Sequence, residues 1–163
     1  MLIKDAIARL RQLHQKHKQG SLSLDEEVDY RALCADFCSA LVGAQRLGLQ
    51  AGQKARQTLR VASAKKIELA FADNRVSTMT HDVGLGGFAA LVPNDRPVGS
   101  PCDFVLTAGG HPLRGRARVV ACMRHGSGGV SHRASFALEA MSDDDRAKLE
   151  IAVIDAALFA LGD

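Results

Sequence analysis

The spacing of apolar residues changes twice along this chain, and the two changes bound what it can fold into. Near the start, Leu2, Ala6, Ile7, Leu10 and Leu13 recur at helical spacing with Lys and Arg between them, which predicts one amphipathic helix. The stretch QGSLS breaks it. Ser23 followed by Glu26 is a capping box for a second helix, whose stripe is Leu33, Phe37, Leu41, Ala44 and Leu47, with Gly48 as its stop. Two helices joined by a short polar loop form a helical hairpin. From Val61 the period becomes two, and it returns to helical only after Ser142.

Between those points Ile67, Leu69 and Phe71 alternate with polar or small residues, and DNR turns the chain into a strand from Val76 to His81. A third strand runs from Phe88 to Val92, and a fourth carries Cys102, Phe104 and Leu106. The fifth places Leu113, Ala117, Val119, Ala121 and Met123 on one face, and the sixth turns Val130, Ala134, Phe136 and Leu138 inward. Six short strands with glycine-rich turns point to an antiparallel barrel rather than a parallel sheet. Ser142 is a good N-cap for a closing helix, and Asp143, Asp144 and Asp145 lie in its first turn, where the helix dipole favours anions. Beyond Glu150 that helix reads IAVIDAALFAL, apolar nearly all round. One side must cover the barrel, and the other the N-terminal helices or, in a homodimer through the helices, a second copy.

Composition narrows the classes of function. A hydrophobic fraction of 47% is that of a globular chain. No apolar run approaches the roughly 20 residues of a membrane span, and the charged start lacks a signal-peptide core, so the expected compartment is the cytoplasm. Cys34, Cys38, Cys102 and Cys122 lack CxxC spacing. A zinc site can be drawn from Cys34 and Cys38 with His14 and His17 upstream, but structural zinc ligands come as tight knuckles. The thiols read as small buried groups, with no metal and no cofactor. No nucleophile–base pair, HExxH or phosphate loop stands out, so the chain is not expected to be an enzyme. Base-stacking platforms need exposed aromatics, whereas here aromatics are 4% and in inward phase. Nucleic acid is therefore not the expected partner, and Arg114, Arg116 and Arg118 read as a solvated barrel face.

Two clusters remain. RQTLR puts Arg56 and Arg60 at the end of a basic linker (residues 50–60), and HDVGLGGF follows with Asp82, Gly84, Gly86 and Gly87. Guanidinium forks engage phosphate oxygens or the O6 and N7 acceptors of guanine, and they stack on purines. A carboxylate does the opposite job, accepting from guanine's ring N–H and exocyclic amine. Glycines let a base or phosphate lie against the backbone. Together the clusters suit an anionic guanine nucleotide.

RQTLR, a strand hairpin, DVGLGGF, further strands and an amphipathic helix together resemble the PilZ domain. That family is marked by RxxxR followed by (D/N)xSxxG, and it is known as a receptor for the bacterial second messenger cyclic di-GMP. The resemblance covers roughly residues 54–160. It implies a mainly β protein, a six-stranded antiparallel barrel at 54–163 with its C-terminal helix; the helical hairpin read from the residue spacing, region 1–50, precedes it and lies outside the resemblance. It further implies that Arg56 and Arg60 grip phosphate and guanine, that Asp82 reads a guanine edge, and that Gly87 is the motif's last glycine. Gly84 stands where the family has serine, which removes one hydroxyl contact. The implied function is a cyclic di-GMP receptor or adaptor that passes ligand binding on as a change of shape or of partner, the downstream protein being unspecified. The alternative is a degenerate PilZ-type interaction module that binds no nucleotide.

Overall fold

The computed structural model describes residues 2–53, 56–126 and 131–162. Their contacts divide the chain into two compact units, Met1–Leu59 and Arg60–Asp163.

In the first unit, α1 (Ile3–Lys18) and α2 (Leu24–Leu47) form the expected hairpin. Gly20 has a φ of +67°. Its N–H bonds the His17 carbonyl while that of Ser21 bonds the Lys16 carbonyl, the Schellman ending that a left-handed glycine permits. At the start of α2 the Ser23 hydroxyl accepts from the Glu26 N–H at 3.2 Å, and the Glu26 carboxylate accepts from the Ser23 N–H at 3.1 Å. Ser23→Ala removes this box and is expected to cost the hairpin about 1 kcal/mol, read as a loss of helical signal at lower denaturant. The helices are tied by a 2.8 Å hydrogen bond between His14 Nδ1 and the Tyr30 hydroxyl, with the His17 ring stacked on Tyr30 at 4.6 Å.

The apolar stripe of α2 runs differently from expectation at its end. Leu33, Phe37 and Leu41 are half-buried, but Ala44 is exposed and Leu47 is 90% exposed. With 24 residues against 16, α2 outruns α1 by about 12 Å at 1.5 Å per residue, so α1 cannot cover its last turns. Gly48 caps the helix with a φ of −85°, without the left-handed turn of a C′ glycine.

The second unit holds β1 (Arg60–Ala62), β2 (Lys66–Ala70), β3 (Arg75–Gly84), β4 (Gly87–Val92), β5 (Pro101–Ala108), β6 (His111–His125), β7 (Ser131–Met141) and α3 (Asp143–Ala160). The order β3-β2-β5-β6-β7-β4 closes on itself through β3–β4 pairing, and β1 adds a seventh strand against β3. Every pairing is antiparallel. This is the six-stranded barrel with one extra strand. Phe88, Phe104 and Phe136 fill its core, with Phe88 stacked on Phe136 at 4.8 Å and edge-on to Phe104 at 5.2 Å. Arg96, 7% exposed, lies over the Phe71 ring at 3.9 Å and bonds Asp73 and Asn74. Its loop thus latches onto the β2–β3 turn, a cation–π contact that spacing alone does not reveal.

Two expected inward residues prove not to be core: Ala121 is half-buried and Met123 exposed. Past Val119, β6 makes a bulge: Val119 pairs with Phe136 and Ala121 with Ser135, so two residues of β6 oppose one of β7. A bulge shifts the side-chain phase by one. Cys122 rather than Ala121 then lies opposite the buried Ala134, and Met123 is 70% exposed. Ala134 and Phe136 are fully buried as expected, while Gly128, Gly129 and Val130 lie outside the described residues.

The helix α3 begins with the Ser142 hydroxyl accepting from the Asp145 N–H at 3.1 Å, and the Asp145 carboxylate accepts from the Arg114 N–H at 3.1 Å. That second bond docks the helix start onto β6. Leu149, Val153, Ile154, Ala157 and Leu158 are buried, and α3 packs against β1, β3, β5 and β6. Residues 151–158 include no exposed position, in keeping with a stretch apolar on most sides. No described helix is long and apolar enough to cross a membrane.

Candidate functional site

Arg60 opens β1 and pairs in register with Gly84, while Ala62 pairs with Asp82. Asp82 in turn faces Ala89 across β4, after a bulge between Thr80 and Asp82. The bulge bends β3 where it leaves β2 for β4, and it brings Asp82 beneath the Arg60 side chain. Arg60 Nη1 donates to Asp82 Oδ1 at 3.0 Å, and Arg60 Nη2 donates to the Phe136 carbonyl at 3.3 Å. Both side chains are nearly closed off, at 12% and 11% exposure. A guanidinium at that depth is stable only with such partners.

Gly87 explains why the chain needs a residue without a side chain here. A Cβ at this position would lie 2.0 Å from the Phe136 carbonyl oxygen and 2.6 Å from Arg60 Nη2. Gly87 is not among the residues with positive φ. The requirement is close approach, by the β7 backbone and by the Arg60 guanidinium, so its cause lies inside the protein.

Of the residues singled out from the sequence, Arg60, Asp82, Gly84 and Gly87 converge on the ends of β1, β3 and β4. Arg60 departs from expectation in one respect: it belongs to the first strand and is not a linker residue ahead of it, so it cannot be removed without touching the fold. Arg56 belongs to the N-terminal unit, is exposed, and its carbonyl accepts from Arg46 Nε at 3.2 Å. The division between the units falls between Leu59 and Arg60, inside RQTLR.

A further arginine was not found from the sequence. Arg133 Nη2 donates to Asp82 Oδ2 at 3.0 Å, with its side chain 43% exposed. The two residues are far apart in sequence, and only closure of the barrel through β4 and β7 brings them together. Asp82 thus carries one guanidinium on each carboxylate oxygen.

Among the described residues no group of three His, Cys, Asp or Glu could hold a metal ion. Cys102 is 3% exposed, and burial pushes its thiol pKa up to about 12. It is an apolar core group, not a nucleophile.

No curated protein matches the sequence. Among solved structures, Bacillus subtilis MotI/DgrA, an inhibitor of motility, superposes with a TM-score of 0.56 at 13% identity over 66% of this chain and 53% of its own. The PilZ domain of YcgR from Escherichia coli, solved with c-di-GMP, gives 0.54 at 18% identity over 66% of this chain and 95% of that one. MrkH from K. pneumonia in its apo state gives 0.56 at 16% identity over 69% of this chain and 55% of its own. The match thus spans about half of MotI and MrkH and nearly all of the YcgR domain. At these identities the likeness is one of fold. A protein-family model described as the PilZ domain matches residues 54–154, well over half the sequence and including the RQTLR and DVGLGG segments, the whole barrel and most of α3; the chain therefore belongs to the PilZ domain family.

Proposed function

We propose that this protein is a receptor for cyclic di-GMP that binds the nucleotide without chemistry and converts binding into a change of conformation or of protein partner. The observation that carries the reading is the Arg60 fork held against Asp82 where β1 meets β3; Arg56 stands four positions earlier in the RxxxR sequence. The ligand-bound YcgR domain shares the fold. In this reading Arg56 and Arg60 engage phosphate and stack on guanine, Asp82 accepts from the guanine N1–H and amine, Gly84 keeps the end of β3 low beneath the base, and Gly87 leaves room for the Arg60 guanidinium. A carboxylate has about four lone-pair positions, so Asp82 can accept from a base while its arginines stay bonded. A ligand gripped by both arginines fixes the backbone between them. It shifts the chain's conformational equilibrium only by its differential affinity for the competing states.

The second reading, a PilZ-type interaction module that binds no nucleotide, is favoured by Gly84 in place of the family's serine. The lost neutral hydrogen bond is worth about 0.5–1.5 kcal/mol, no more than about tenfold in affinity, so it weakens binding without removing it. Calorimetric titration with cyclic di-GMP separates the two. Arg56→Ala is expected to cost about 1.5–3 kcal/mol of binding and to leave the melting temperature unchanged, because Arg56 is exposed. Wild-type protein silent at high micromolar ligand would overturn the receptor reading and leave the interaction module.

A further inference from the structure

The Watson–Crick edge of guanine presents an acceptor, O6, beside two donors, N1–H and the 2-amino group. A carboxylate matches only the two donors. To read the whole edge a protein needs a donor placed immediately beside the carboxylate, and Arg133 supplies one. Its Nη2 lies 3.0 Å from Asp82 Oδ2, so donor and acceptor stand side by side in the order the guanine edge requires. Arg60 occupies the other oxygen and is itself nearly buried between Asp82 and the Phe136 carbonyl. Arg133, in contrast, is 43% exposed at the side chain, and a guanidinium has five N–H donors in a fixed fork. It can hold Asp82 with one and address a ligand with another.

We propose that Arg133 is a base-reading residue of the ligand site, donating to guanine O6 while Asp82 accepts from N1–H and the amine. This rests on the cyclic di-GMP reading above. The pair rejects adenine on both sides, because adenine offers a donor where the guanidinium stands and an acceptor where the carboxylate stands. Arg133 also gives β7 a direct contact with the ligand, which Arg60 on β1 and the glycine motif on β3 and β4 do not.

The alternative role for Arg133 is to position Asp82, and a ligand altered only at the O6 site separates the two. The wild-type chain is titrated with cyclic di-GMP and with its 6-thio analogue, in which sulfur, a poor acceptor, replaces O6 and both donors remain. Wild type is expected to prefer the oxygen ligand several-fold. Arg133→Ala is expected to bind cyclic di-GMP about tenfold more weakly, as for one lost hydrogen bond to a charged group, and to show no preference between the two ligands. Arg133→Lys, which keeps a cation beside Asp82 but not the fork, is expected to keep affinity better than alanine with a reduced preference, and it carries the test if the alanine variant fails to fold. A preference as large as that of wild type in either variant, or no preference in a wild type that binds, overturns the role of Arg133 and leaves the receptor reading standing. A wild type that binds neither ligand overturns both.

Discussion

Arg60→Ala is expected to lower the stability of the barrel by about 3 kcal/mol, as well as to abolish nucleotide binding. The side chain joins three strands: it starts in β1, bonds Asp82 in β3 at 3.0 Å and bonds the Phe136 carbonyl in β7 at 3.3 Å. Removing one partner of a buried ion pair typically costs about 3–5 kcal/mol, because the other is left charged in a poorly solvated place. Arg133 still neutralises Asp82 from the other oxygen, which puts the expected cost at the low end of that range. For a domain near 100 residues this corresponds to a fall of roughly 10–20 °C in melting temperature, measured without ligand by thermal circular dichroism. Arg56→Ala is the control, losing affinity while its melting curve overlays wild type. The two arginines of one motif then separate into one that holds the barrel as well as the ligand and one that serves the ligand alone. An Arg60→Ala melt within about 2 °C of wild type would show that the buried pair contributes no net stability, as some buried pairs do not.

The difference between those arginines was not legible in the sequence, and the reason is physical. Period-two patterning needs about four residues to register, and β1 has three. Arg60 therefore reads as linker until the pairing of Arg60 with Gly84 is seen. Local signals fared better. The capping box at Ser23 and Glu26 and the N-cap at Ser142 depend on residues a turn apart, and both formed. Side-chain phase failed where a bulge intervened, at Ala121 and Met123, because inserting one residue into a ladder leaves no compositional trace. Arg133 was invisible for a different reason. Its partner is set by which strands close the barrel, and no spacing in SHRASFALEA connects it to Asp82. The motif residues themselves were legible because RQTLR and, at all positions but Gly84, DVGLGG match a family pattern. Arg60, Asp82, Gly84 and Gly87 meet at the β1–β3–β4 corner, where Gly87 is required by Phe136 and Arg60.

Gly87→Ala is expected to be as damaging as losing the arginine, about 3 kcal/mol or more, at or beyond the upper end of ordinary overpacking costs. The added methyl would meet the Phe136 carbonyl oxygen at 2.0 Å and its carbon at 3.1 Å, and the nearest side-chain atom, Arg60 Nη2, at 2.6 Å. A guanidinium at the end of a flexible chain can move aside. A carbonyl cannot move independently here, because β4 and β7 are paired continuously from Gly87 with Ala137 to Val92 with His132, and the Leu138 N–H bonds the Gly86 carbonyl at 3.0 Å. Relief therefore has to come from parting the two strands whose pairing closes the barrel. The double variant Gly87→Ala with Arg60→Ala identifies the decisive contact. If the clash with the guanidinium dominated, removing the arginine would restore much of the stability lost to the methyl. With the carbonyl 0.6 Å closer than the guanidinium (2.6 − 2.0 Å), the double variant is expected to be less stable than either single one. Denaturant melts of the four proteins give the coupling directly. A double variant more stable than Gly87→Ala would mean that the glycine serves Arg60, whereas further loss means that it serves the seam between β4 and β7.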